Sequence, residues 1–418
     1  MVGEFGGTTQ PVSLPPRPSP SEERYELARS VFTERIADLT TEQAKNLSLF
    51  VARDCSLIYL ATDSFDDAFR LFTIVNDRGK QLRRIDVLKA INLAPEVVTS
   101  ETSRSMYAQK WEEMESRLGE SQFEEIFHLL RLIYTKDKPQ ADLHTEFTNR
   151  IYGKRGRPTP GKSFLDELER FVNLYDALFI DKDYLDADDG KCAKFRTLMS
   201  AMATYFTASE WKACLLSYAR KFGRKGLYEF MLRIEKVYLE LWVTGTRKDE
   251  RYGRYTAILT GIEAAINFQD AVSSASADLE SIRDACRADN FYSAGPSKYL
   301  LVRAEILAGE LDHARQFLAR SVEHVLPQNP ADGSEWVSKF DADTLKGVVN
   351  KAGNLVLLSK AKNSSAGRRD FAEKKSGYLK PRVSDFPRSV AVLDYSTWTK
   401  EIIEERTEEF ARTVLQDP

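Results

Sequence analysis

The sequence predicts a mainly α-helical protein that ends in a small α+β domain. Two observations predict this class. From about Thr99 to Arg320, apolar residues recur at i, i+3, i+4 and i+7, as in Tyr107, Trp111, Met114 and Leu118. Beyond Leu311 the texture changes, and Ser321 to Leu326 and Asn354 to Leu358 become short runs compatible with strands.

In chain order, residues 1–21 are rich in Gly, Thr, Pro and Ser and read as a disordered tail. Residues 22–95 read as helical. Asp63 to Phe72 has an acidic start and helical spacing, Val75 to Lys80 reads as a turn, and Asp86 to Leu93 reads as another helix. Residues 96–310 form a helical middle domain. Its stripes include Phe164, Leu165, Leu168, Phe171, Val172 and Tyr175, then Tyr228, Met231, Ile234, Tyr238 and Leu241. Helices packed on one another account for them, and no fixed-length repeat points to a solenoid. Residues 311–418 form the last domain. Its second strand, apolar on both faces, is expected to be buried on both sides. A brief helix over Asp343 to Asn350 separates the strands, and an amphipathic helix with Trp398, Ile402, Ile403, Phe410 and Val414 covers them.

Composition excludes several classes. The net charge is −3, so no global basic field attracts nucleic acid, and any such binding must be local. No apolar run is long enough to cross a bilayer, and the start lacks the pattern of a secretory signal, so a cytoplasmic location is expected. Cys55, Cys192, Cys214 and Cys286 are far apart with no CxxC, against a zinc ribbon or disulfide framework. His128, inside Phe-His-Leu-Leu, reads as a packed core histidine, and His144 and His313 read as surface residues. The loop Gly153 to Lys162 is basic. Its Arg155-Gly156-Arg157-Pro158 matches the core of a minor-groove AT-hook, although a solvated basic loop explains it as well. Arg155 and Arg157 are candidate phosphate contacts in either case.

The chemistry concentrates around Glu323-His324-Val325-Leu326-Pro327-Gln328, followed by Gly353-Asn354-Leu355 and Asn363-Ser364-Ser365. A histidine, an asparagine and a second asparagine opening a basic helix form an HNH pattern. Phosphodiester hydrolysis needs a base for water, neutralisation of the phosphorane and support for the departing oxygen. His324 suits the first because its ordinary pKa is near neutrality. A Mg²⁺-class ion suits the others and prefers oxygen ligands, which Glu323 and Asn363 offer. From Lys346 to Arg388 there are eleven Lys or Arg against three Asp or Glu, the one strongly basic stretch of the chain. It contains Arg368, Arg369, Lys374 and Lys375, candidate DNA contacts. Each residue also has a plain structural reading: Glu323 as a surface acid, His324 capping a strand, Asn354 in a turn, Asn363 as a helix N-cap. Their joint order beside the basic cluster favours the nuclease.

At these residues the chain resembles the C-terminal HNH domain of the GmrSD restriction endonuclease family. The shared pattern is Glu323 to Gln328, Trp336, Gly353 to Leu358, Asn363 to Ser365, Phe371 with Lys374 and Tyr378, and Trp398 to Arg406. The resemblance implies a ββα-metal (His-Me finger) fold, with His324 as general base and Asn354 bracing its loop and orienting it. Glu323 and Asn363 would hold one Mg²⁺ or Mn²⁺. The implied substrate is DNA, modified or from phage, cut in modification-dependent restriction or defence. Phe72 to Leu82, with Asp86, Leu88 and Lys89, resembles the end of that family's ParB-like N-terminal domain. The DGQQR motif of that domain is lacking, and only about seventy residues precede the Asn76-Asp77-Arg78-Gly79 turn. An upstream portion or a protein partner supplying the rest is therefore expected, and no nucleotide site is assigned. Two other readings stay open: a non-catalytic DNA-binding remnant, and an RNA-cleaving toxin using the same chemistry.

Overall fold

The computed structural model describes residues 20–56, 83–186, 190–316, 321–358, 367–377 and 386–418. The expected helix over 63–72, the 75–80 turn, nearly all of the 1–21 tail, and Asn363 to Ser365 lie outside these residues. The described chain is mainly helical, with two short strands. It forms two compact units, residues 1–128 with 140–172, and residues 129–139 with 173–418.

The first unit is held by an aromatic cluster. Trp111 of the helix Glu101–Leu118 meets Phe123 edge-on, with ring centroids 5.4 Å apart, and Phe147 meets Phe164 at 5.6 Å. Such edge-to-face pairs suit the ring quadrupoles and bury large apolar areas. Asn92 donates to the Tyr152 hydroxyl at 2.7 Å and accepts from the Gly161 N–H at 2.9 Å. That bond fixes the far end of the basic loop. The loop closes on itself through the Gly153 N–H to the Pro158 carbonyl at 3.2 Å, with Gly153, Gly156 and Gly161 at positive φ. It is a compact turn and not an extended AT-hook strand. Arg155 is exposed on it and Arg157 is half-buried.

His128 is corrected by the structure. Phe123, Ile126, Phe127 and Leu130 face the core, and His128 lies on the exposed side of the helix Glu120–Thr135. Each helical residue turns about 100° from the last, so one position within an apolar run can still face outward.

In the second unit, the helix Leu227–Val243 is apolar nearly all round and is buried nearly all round. It carries Glu235, fully buried beside Arg303 of the helix Ser297–Ala308. Their pairing is bidentate, Nε to Oε1 at 2.9 Å and Nη2 to Oε2 at 3.0 Å. The Tyr299 hydroxyl also donates to Glu235, and Arg303 donates to the carbonyls of Val414 and Gln416. Removing one partner strands the other charge in the interior. Arg303→Leu is therefore expected to lower unfolding free energy by about 3–5 kcal/mol, measured by denaturant titration.

The strands β1 (Ser321–His324) and β2 (Leu355–Leu358) pair antiparallel, with Glu323 opposite Val356 and His324 opposite Leu355. All four β2 residues are buried, as their apolar run predicts. The far edge of β2 is closed by Ser389, whose hydroxyl donates to the Leu357 carbonyl at 2.9 Å and accepts from the Leu357 N–H at 3.1 Å. Beside it lies Glu305, which accepts from the Arg388 N–H at 2.8 Å. Burial pushes the Glu305 carboxyl up to about 7, against the lowering pull of Arg388. The folded chain thus keeps a proton that the unfolded chain releases near 4.5. The resulting stabilisation, at most about 3 kcal/mol, is full below that pH and is lost as pH rises through 7. Glu305→Gln cannot release the proton. It should gain on the wild type in thermal melts as pH climbs from 4.5 to 7; equal pH slopes would refute this.

Candidate active site

β1 delivers Glu323 and His324, and a turn after the helix Ala342–Val348 delivers Asn350. A 3₁₀ turn, Ala352–Asn354, leads into β2 and delivers Asn354. The helix Phe371–Gly377 delivers Lys374.

Asn354 is fully buried and uses its whole side chain. Nδ2 donates to the carbonyls of Leu326 at 2.9 Å and Val349 at 2.8 Å. Oδ1 accepts from the Leu326 N–H at 2.8 Å and the Trp398 indole at 3.0 Å. An amide offers two donors and an acceptor with two lone pairs, so nothing remains for a substrate. Asn354 therefore ties together the segment after β1, the turn carrying Asn350, and Trp398.

Gly353 explains its own identity. A Cβ there would fall 2.8 Å from both the N–H nitrogen and the hydroxyl of Thr407, and would strike the Ile403 carbonyl. The Gly353 N–H donates to Thr407 Oγ1 at 3.0 Å, and its carbonyl accepts from Arg406 Nε at 3.0 Å. The helix Lys400–Thr413 thus presses directly on the backbone that opens β2.

The other motif residues brace the Lys374 helix. The Trp336 indole donates to the Arg369 carbonyl at 2.9 Å, and the Phe371 N–H donates to Glu335 at 2.6 Å. The Phe371 ring packs on Trp398 with centroids 5.4 Å apart. Arg368 and Arg369 are exposed ahead of this helix. Lys375 is half-buried and donates to the Tyr395 carbonyl at 2.6 Å.

Lys374 is placed differently from the surface phosphate contact that its basic surroundings suggest. It is fully buried, and its ammonium donates to Glu323 Oε1 and to the His324 carbonyl, each at 2.8 Å. Burial raises the Glu323 carboxyl and lowers the Lys374 ammonium, and in each case the partner's charge opposes the shift. Lys374→Met should cost about 3 kcal/mol or more, because it leaves a buried carboxylate uncompensated. A melting temperature unchanged from wild type would contradict the pairing.

His324 is 9 % exposed. Nε2 lies 3.1 Å from Asn350 Oδ1, and the Tyr292 ring meets the imidazole edge-on at 4.5 Å. Burial pushes the imidazole down to about 4; the Asn350 bond opposes that fall and the Lys374 charge adds to it. At neutral pH His324 is therefore an uncharged imidazole, the form that can accept a proton.

Residues 277–413 match the family described as GmrSD restriction endonucleases, C-terminal domain. That stretch of the chain is similar to the GmrSD C-terminal domain, and the match does not extend to the residues before it. It matches no curated protein. The GmrSD match takes in β1, β2, the Lys374 helix and Asn350, and also Tyr292, which lies before the motif.

Among the described residues, the GmrSD domain brings together Glu323, His324, Asn354 and Lys374. Asn363 lies outside them. Arg155 and Arg157 belong to the other compact unit. Among the described residues no helix is long and apolar enough to cross a membrane, and no three His, Cys, Asp or Glu side chains cluster as metal ligands. Sequence reasoning missed Asn350 and Tyr292 and gave Gln328 no role, although Gln328 stands in the motif and was the available signal.

Proposed function

We propose that the GmrSD domain is a metal-dependent HNH endonuclease of ββα-metal type that nicks or cleaves DNA. The setting is modification-dependent restriction or defence against phage in the cytoplasm. The observation that carries this reading is His324, its ring held by Asn350, next in sequence to the buried Glu323, on two paired strands followed by a helix. We take the nuclease domain as 311–418, the helical middle as 96–310, and a ParB-like segment as 22–95.

Glu323 and Asn363 would hold a Mg²⁺ or Mn²⁺ ion. The donor chemistry fits, because both side chains offer oxygen, which these ions prefer. The Glu323 carboxylate already accepts from the Lys374 ammonium through Oε1 at 2.8 Å, so Oε2 is the oxygen it would offer an ion. When bound, such an ion neutralises charge developing on the phosphorane and on the departing oxygen. His324 takes the proton of the attacking water. Lys374 holds Glu323 in place, and Asn354 fixes the backbone that follows His324 and the turn that leads to Asn350. The exposed Arg368 and Arg369 contact backbone phosphates, so DNA binding should weaken steeply with salt.

The test is cleavage of plasmid and phage DNA by the purified chain with Mg²⁺ or Mn²⁺, alone and with an upstream partner region. Chelator should abolish it, and competition with RNA should identify the preferred polymer. DNA left intact under all these conditions would overturn the reading, and salt-sensitive binding alone would mark a non-catalytic DNA-binding protein.

A further inference from the structure

The bond to the His324 ring comes from Asn350, 26 residues further along the chain. Asn350 Oδ1 also accepts from Gln328 Nε2 at 2.9 Å, so the amide presents its oxygen to both side chains. The Asn350 backbone is fixed as well, since its carbonyl accepts from the Tyr292 N–H at 3.0 Å. The preceding carbonyl, that of Val349, is held by Asn354. The Tyr292 ring closes one side of the imidazole. An amide oxygen can only accept, so the ring nitrogen facing it must carry the hydrogen. The two nitrogens of a neutral imidazole are then distinguished by the bond that one of them makes.

We propose that Asn350 is the positioning residue of this site, holding His324 as its Nε2–H tautomer and leaving Nδ1 free to take a proton, with Gln328 orienting the Asn350 amide. In the catalytic step, water gives its proton to Nδ1 as its oxygen bonds to phosphorus, and the 3′ oxygen departs with the electron pair of the broken P–O bond. That step rests on the nuclease reading above; the tautomer does not. Gln328, the last residue of the Glu-His-x-Leu-Pro-Gln run, thereby acquires a function.

The test uses the ¹⁵N-labelled full chain and long-range ¹H–¹⁵N correlations of the histidine rings. There are four histidines, and His324 is assigned by its disappearance in His324→Ala. The wild type should show one tautomer, protonated at Nε2. Asn350→Leu should show a mixture of tautomers, with kcat lowered roughly 10- to 100-fold and KM for DNA within about twofold. Asn350→Asp keeps an acceptor oxygen and should restore the single tautomer and most of kcat. A purely structural role would leave the tautomer of Asn350→Leu unchanged, and that result would overturn the proposal. So would a wild-type ring protonated at Nδ1, a reading that stands even if Asn350→Leu fails to fold. A chain that cuts no DNA but shows the expected tautomers would fail the nuclease reading and leave this one intact.

Discussion

His324→Ala is expected to lower DNA cleavage by about 10²–10⁴-fold while leaving DNA binding within a few-fold of wild type. A positioned general base contributes a factor of this size, equivalent to about 3–5 kcal/mol of barrier. Binding should be spared because the proposed phosphate contacts are the exposed Arg368 and Arg369, whereas His324 is almost enclosed. The truncation also empties the space against Tyr292, so a melting curve must accompany the assay. His324→Gln, closer in volume, should lose as much activity with less change in stability. Cleavage at the wild-type rate by either folded variant would remove His324 from the mechanism, whatever its surroundings suggest.

The helices of the middle region were legible because burial imposes a 3.6-residue period, and Tyr107, Trp111, Met114 and Leu118 are all in the core. The strand Leu355–Leu358 was legible because four consecutive apolar residues need cover on both faces. Lys374 was not. A lysine in a basic run reads as solvated, and what buries this one is a carboxylate on a strand 51 residues away. Asn350 was hidden for the same reason: it follows a short helix, and only the fold brings it to His324. His128 shows the opposite error, where apolar neighbours in sequence were taken for apolar neighbours in space. Local patterns report local periodicity, while the partners of polar side chains are decided by tertiary contacts.

Asn354→Ala is expected to be the most destabilising single change in the GmrSD domain. It would leave the Leu326 N–H, the Leu326 and Val349 carbonyls and the Trp398 indole without their partner at a fully buried position. Each unpaired buried group costs about 1–3 kcal/mol, and even with substantial relaxation the sum is several kcal/mol. Asn354→Asp separates the causes. It preserves shape and the two accepting bonds but loses both donors and brings a charge against two carbonyls, so it should be nearly as damaging as alanine. Gly353→Ala should add a steric case at the neighbouring position, since its Cβ has no room against Thr407. All three would reduce nuclease activity by loosening the turn that carries Asn350, and their activity loss should track their melting temperatures. His324→Ala should instead lose activity with its fold intact. A folded Asn354→Ala with a melting temperature near wild type would show that the four bonds are not what holds β1, β2 and the C-terminal helix together.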